Sequence, residues 1–191
     1  MKRITLFASG SGSNVENIHE YFKGSKSVEI AGVLTNKKNA GVLDRCDRLG
    51  INAFYFNKHA LYNTEAVVSL VNSLETDLVV LAGFLWKIPD SLLRAYPGKI
   101  INIHPALLPR YGGKGMYGIR VHQAVVDNKE PYTGITIHYV NENYDEGAII
   151  VQEQIPVAAA DTAEDVAAKV HELEYEHFPR VIEELLNKQL N

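Results

Sequence analysis

Short apolar runs alternate with amphipathic stretches along almost the whole chain, and this alternation restricts its possible folds more than any other feature. Ile4–Ala8, Val28–Leu34, Ala53–Phe56, Leu78–Ala82, Ile100–His104, Thr133–Tyr139 and Ala148–Gln154 have the length and composition of strands. Val15–Lys23, Gly41–Leu49, Thr64–Leu74, Asp90–Tyr96, Val121–Asp127 and Ala163–Asn187 have helical spacing. Strand and helix in turn build parallel βαβ units. The unbroken run Leu78-Val79-Val80-Leu81-Ala82 calls for cover on both faces. The last two strands are joined only by Val140–Gly147, too short for a parallel crossover, so they pair as an antiparallel hairpin. The expected fold is α/β: a doubly wound, mostly parallel, Rossmann-like sheet with an antiparallel C-terminal hairpin and a long C-terminal helix. Thr162 and Asp165 have capping-box spacing at the start of that helix, with Asp in the usual Glu position. Pro179 is expected to kink or interrupt it. No repeat, low-complexity tract or linker divides the chain, so residues 1–191 read as one domain.

With 191 residues, 46% hydrophobic and 22% charged, the chain is long and apolar enough to bury a substantial core. A net charge of -4 supplies no overall basic field to attract phosphate backbones, so nucleic acid is not an expected partner. The one cysteine, Cys46, excludes an intrachain disulfide, suits a reducing compartment and reads as a packing residue. Ile4–Ala8 is too short for a signal-peptide core, and no apolar run is long enough to span a bilayer. These features point to a cytoplasmic protein without a membrane partner. Its oligomeric state is not legible.

Chemistry concentrates in a few places. Asn102 and His104 lie two apart at the end of the β-prone run Lys99-Ile100-Ile101, so they project from one face, and Pro105 stops the strand just beyond them. Carboxyl ends of strands in open α/β sheets bind ligands. A neutral donor beside a titratable one can stabilise an oxyanion there; the alternative is a buried histidine bonded for structure. Ser9-Gly10-Ser11-Gly12-Ser13-Asn14 follows the first strand and opens the first helix. It fits a phosphate site or a plain tight turn, and its position favours a monophosphate. It lacks the third glycine of the dinucleotide fingerprint and the Walker lysine. Val80–Pro89 leaves a strand through Gly83 into an apolar loop with Phe84 and Trp86 that either walls a flat ligand or covers the sheet end. The glycine-rich segment Pro109–Gly118 is a lid or a surface loop. Asp145 is a turn former, or a carboxylate that raises the pKa of His104. His19 and His59 read as surface groups, His122 as a possible substrate contact and His138 as a structural strand residue. No metal-ligand spacing, serine elbow or CxxC occurs, so neither a metal nor a covalent intermediate is expected.

Taken together, Gly10–Asn14, Leu81-Ala82-Gly83-Phe84, Asn102-Ile103-His104-Pro105-Ala106-Leu107-Leu108-Pro109 and Asp145-Glu146-Gly147 resemble the folate-dependent formyltransferases, in order and over nearly the whole chain. The glycine-rich loop and the length are similar to those of members acting in de novo purine biosynthesis. The resemblance implies the formyltransferase fold, 10-formyltetrahydrofolate as formyl donor, the amine of glycinamide ribonucleotide as acceptor, and direct attack through a tetrahedral intermediate. It implies catalytic roles for Asn102, His104 and Asp145, with Asp145 keeping His104 protonated and ordering a water for proton transfer. It implies that Ser11, Gly12, Ser13 and Asn14 hold the substrate phosphate and that Glu174, with His171 one turn before it, meets the ribose. Thr64, Leu85, Trp86, Lys87, Ile88, Asn102, Asn141, Glu142, Asn143, Tyr144 and Asp145 would border the folate.

The chain also departs from the family pattern. Trp86 stands where a basic residue is familiar, and the Thr64 region lacks an arginine, for which Lys58 or Lys87 is the available cation. Tyr111–Met116 differs from the shorter bacterial loop. A 10-formyltetrahydrofolate hydrolase would share the trio but is expected to carry a preceding regulatory domain. A methionyl-tRNA formyltransferase is expected to carry a C-terminal tRNA-binding domain. A non-catalytic phosphate-binding module would leave the Asn102, His104 and Asp145 pattern unexplained.

Overall fold

The computed structural model describes residues 1–188. Strands β1 (Lys2–Phe7), β2 (Val28–Thr35), β3 (Ala53–Tyr55), β4 (Leu78–Leu81), β5 (Ile100–His104), β6 (Tyr132–Tyr139) and β7 (Ile149–Pro156) form a seven-stranded sheet in the order β3-β2-β1-β4-β5-β6-β7. The first five strands pair in parallel, and β6 runs antiparallel to both β5 and β7. Helices α1 (Ser13–Phe22), α2 (Gly41–Leu49), α3 (Lys58–Tyr62), α4 (Ala66–Ser73), α5 (Asp90–Ala95), α6 (Ile119–Asp127) and α7 (Ala163–Lys188) cover its two faces.

The alternation of strand side chains sorts the core into two layers. Ile4, Leu6, Val80, Ile101 and Ile103 pack against Val15 and Ile18 of α1 and Val166, Val170 and Phe178 of α7. Phe7, Val79, Leu81 and Ile100 pack on the opposite side against Leu61 of α3, Val67 and Val71 of α4 and Leu92 of α5. Burial of each such side chain contributes roughly 1.5–3 kcal/mol. All four residues of β4 are buried, as the unbroken apolar run requires.

The strand order reverses between β1 and β4: the chain moves outward from β1 to β2 on one side and from β4 to β5 on the other. At such a point the loops leave in opposite directions and open a crevice at the carboxyl edge. The two strand ends are tied there, the Ser9 N–H donating to the Gly83 carbonyl at 3.0 Å.

Local chemistry accounts for the differences from expectation. α3 was not anticipated; Asn57 caps it, its Oδ1 accepting from the Ala60 N–H at 2.9 Å. α4 starts at Ala66 instead of Thr64, because the Thr64 hydroxyl donates to the Ala60 carbonyl at 3.0 Å and accepts from the Ala66 N–H at 3.2 Å. α7 runs through Pro179 without interruption. Proline denies the carbonyl four residues back its helical partner. That carbonyl, on Tyr175, instead accepts from Asn17 Nδ2 of α1 at 2.9 Å. At the start of α7 the capping box closes reciprocally, Thr162 N–H to Asp165 Oδ2 at 2.9 Å and Asp165 N–H to Thr162 Oγ1 at 3.2 Å.

Candidate active site

The glycine-rich loop turns from β1 into α1 over Gly12, whose φ of 76° is left-handed. A Cβ at Gly12 would lie 2.4 Å from Val42 Cγ2, so only glycine fits between the loop and α2. The Val42 N–H holds the Gly10 carbonyl at 3.0 Å. No side chain caps α1, so the amides of its first turn remain available to an anion. Asn14 is 9% exposed, and its Nδ2 donates to Glu174 Oε2 of α7 at 2.9 Å. A contact across 160 residues thus joins the loop to the last helix.

On β5, Asn102 and His104 project opposite to Ile101 and Ile103, as their spacing predicts. The loop after β6 brings Asp145 to them. Asp145 Oδ2 lies 3.5 Å from His104 Nδ1, and Asn102 Nδ2 donates to Asp145 Oδ1 at 3.5 Å. His104 Nε2 donates to the Tyr111 carbonyl at 2.7 Å, and the Gly113 N–H donates to Asp145 Oδ2 at 2.8 Å. His138 faces Asn102 across the β5–β6 pair. Its Nδ1 donates to the Tyr139 carbonyl at 2.8 Å, which leaves Nε2 to accept from Asn102 Nδ2 at 3.1 Å.

Two cavities meet at this cluster. One, of about 240 Å³, is lined by Ser11, Gly12, Ser13, Asn14, His171 and Glu174 on one side and by Asn102, His104, Leu85, Tyr144 and Asp145 on the other. The second, of about 50 Å³, is walled by Trp86, Lys87 and Ile88 against Asn141, Asn143 and Tyr144, and it shares Asn102 and Asp145 with the first. Thr64 lies instead in an open hollow that borders the second cavity through Lys87 and Ile88. Glu142 lines none of these three.

The profile of the formyl transferase family matches residues 2–182. The chain belongs to the formyl transferases. It is 40% identical over 187 residues to the chloroplastic phosphoribosylglycinamide formyltransferase of Arabidopsis thaliana, an alignment covering 95% of this chain and 64% of that protein. It is 38% identical over 191 residues to the phosphoribosylglycinamide formyltransferase of Bacillus subtilis, covering 97% and 95%. The crystal structure of the phosphoribosylglycinamide formyltransferase from Streptococcus pneumoniae superposes with a TM-score of 0.84 at 34% identity, covering 97% of this chain and 99% of that one.

Electrostatics in this formyl transferase depart from expectation at His104. Burial holds its pKa below the usual value, while Asp145 and the Tyr111 carbonyl pull the other way without prevailing. The ring is 4% exposed, and desolvation outweighs a carboxylate 3.5 Å distant, so the net shift is downward despite Asp145. Burial also raises the Asp145 pKa, but the neighbouring His138 ring, the His104 charge and the Gly113 N–H more than offset it. That carboxyl stays below its ordinary range. Burial raises the Glu174 pKa against the opposing effects of Asn14 and His171. Burial, then His171 and His104, push His122 down to about 4.

Among the described residues no group of three or more His, Cys, Asp or Glu could hold a metal, and no helix is long and apolar enough to cross a membrane. Met116, Tyr117 and Gly118 of the glycine-rich segment line the larger cavity. His122 lines it too, 2% exposed and with Nδ1 unpartnered. His19 is half-buried, whereas His59 is exposed. His138 reads from its own strand as structural, yet it touches Asn102. Its sequence signal, strand alternation, gives a face but not the opposing residue.

Proposed function

We propose that this formyl transferase moves a formyl group from 10-formyltetrahydrofolate to the amine of glycinamide ribonucleotide. The observation that carries the reading is the meeting of two unlike cavities at Asn102, His104 and Asp145. The names of the relatives in Arabidopsis and Bacillus support the choice of acceptor.

The larger cavity suits a phosphorylated acceptor. Ser11 and Gly12 offer the amides of the loop, and Ser13 a first-turn amide of α1, to the phosphate. Asn14 gives one amide hydrogen to Glu174 and keeps its second for the phosphate. Buried Glu174 and exposed His171, one turn apart on α7, take the ribose hydroxyls. The narrow crevice, with the Trp86 and Ile88 side chains on one wall and the Asn141 and Asn143 amides on the other, fits a flat ring with polar edges. The donor supplies an activated formyl group on a nitrogen that leaves as an amine.

The acceptor amine adds to the formyl carbon, the carbonyl oxygen takes the negative charge, and the carbon–nitrogen bond of the donor then breaks. Overall the amine loses one proton and the leaving nitrogen gains one. Asn102 stabilises the oxyanion with an amide hydrogen turned from the 3.5 Å contact to Asp145, and His104 does so through the charge of its ring; loss of one such group typically costs 10²–10³ in kcat. The proton given up by the amine passes to His104, the developing oxyanion offsets the burial that disfavours the charged ring, and Asp145 pairs with the imidazolium so formed. Asp145 also orders the water that carries the proton to the leaving nitrogen.

The test follows deformylated folate by absorbance in the purified protein, with and without glycinamide ribonucleotide. Product only in the complete mixture is expected. Equal product without the ribonucleotide would replace this reading with a hydrolase.

A further inference from the structure

His104 is held from outside the cavity as well as within it. Its Nε2–H goes to the carbonyl of Tyr111 at 2.7 Å. Tyr111 has a φ of 57°, left-handed for a residue with a Cβ, so something must hold it there. Glu130, at the start of the segment leading into β6, does so. The Tyr111 phenol donates to Glu130 Oε1 at 2.7 Å. The neighbouring Arg110 gives Nη1 to Glu130 Oε2 at 2.8 Å and Nη2 to Oε1, and its guanidinium lies 5.5 Å from the centre of the Tyr111 ring. Glu130 is itself fixed, its side chain 10% exposed and its N–H bonded to the Val125 carbonyl at 3.1 Å. Beyond Tyr111, Gly112 packs so tightly that a Cβ would fall 2.5 Å from Leu108 Cδ2, and the Gly113 N–H reaches Asp145. One short segment, anchored at Glu130, therefore sets both His104 and Asp145.

The carbonyl decides which imidazole nitrogen carries the proton. With Tyr111 in place, neutral His104 is protonated at Nε2, and Nδ1 presents its lone pair on the side of Asp145. Without that acceptor, the charge-assisted bond from an Nδ1–H to Asp145 is the stronger option and the tautomer reverses. We propose that Glu130 is a positioning residue for formyl transfer: through the phenol and backbone of Tyr111 it fixes the carbonyl that sets the tautomer and orientation of His104. The proposal rests on the transfer reading, in which His104 faces the reacting centre.

The experiment combines ring-¹⁵N NMR of the histidines, with His104 assigned through His104→Ala, and steady-state kinetics. Glu130→Ala, Tyr111→Phe, their double variant and Glu130→Gln are compared with the unmodified chain. The unmodified chain is expected to show His104 protonated at Nε2 above its pKa. Glu130→Ala and Tyr111→Phe are each expected to shift His104 toward the Nδ1–H form and to lower kcat roughly ten- to hundredfold. Both KM values should stay within about twofold. The double variant should be no worse than the worse single one, since both remove one contact. Glu130→Gln keeps an acceptor for the phenol and should recover most of the rate. An unchanged tautomer and kcat in Tyr111→Phe would overturn the proposal, as would additive losses in the double variant. Should Glu130→Ala not fold, Tyr111→Phe decides alone. Absence of transfer by the unmodified chain would sink the functional reading while the tautomer result still judged the Tyr111 contact.

Discussion

His122 couples the site to acid stability. Its folded pKa of about 4 lies below the ordinary value of 6.5, chiefly through burial and then through His171 and His104. Between those values the unfolded chain binds more protons, so the stabilisation is complete above about pH 6.5 and is lost as pH falls toward 4. The loss is on the order of 3 kcal/mol at about 1.4 kcal/mol per pKa unit. Urea unfolding at the two ends of that window should show it, and His122→Gln should reduce it; an equal pH dependence in the variant would place the effect elsewhere. At the reacting centre, His104→Ala should lower turnover by about 10²–10⁴ while leaving ligand binding intact. Asn14→Ala should raise KM for the phosphorylated acceptor more than for the donor, and a change confined to donor affinity would contradict the loop assignment. Much of this residue chemistry was legible. The spacing of Asn102 and His104 carries their shared face, and the glycine-rich loop carries its helix start. His138 and Glu130 were not legible, because the first depends on strand register and the second on a contact to a loop residue held by its own backbone conformation.

At the scale of elements, α7 shows what local pattern captures and misses. Its capping box was written in Thr162 and Asp165, and both reciprocal bonds form. Asp165→Ala should cost about 1 kcal/mol, a fall in Tm of roughly 2–4 °C for a chain of this size. The continuity of α7 across Pro179 was not written locally, because the compensation comes from α1: Asn17 bonds the carbonyl that proline leaves unpaired. Asn17→Ala should therefore destabilise by about 1 kcal/mol, and Asn17→Ala with Pro179→Ala should largely cancel that loss, since the alanine amide restores the helical partner. Independent effects in a thermal-unfolding cycle would reject this pairing. The five-residue α3 is shorter than a periodicity window, so its apolar pattern does not mark it, and only its Asn57 cap does.

Across the whole molecule, the apolar runs specified a parallel core and an antiparallel end, and both are present. Strand order was a separate matter. It places the ends of β1 and β4 side by side at the reversal, with β5 next to β4, and so gathers Gly12, Asn102 and His104 around one crevice. No local pattern specifies such neighbours; they follow from burying both faces of β4 beneath helices that the connections can reach. The same arrangement brings Glu174, near the end of the chain, to Asn14 near its beginning. In the proposed transfer, these two cavities meet to pass one carbon between their occupants. The most direct measurement supplies 10-formyltetrahydrofolate labelled with ¹³C in the formyl group, together with glycinamide ribonucleotide, and follows the label by NMR and mass spectrometry. The label is expected on the ribonucleotide amine, formed at a rate that His104→Ala lowers by about 10²–10⁴. Label recovered as free formate, with the ribonucleotide unmodified, would contradict it.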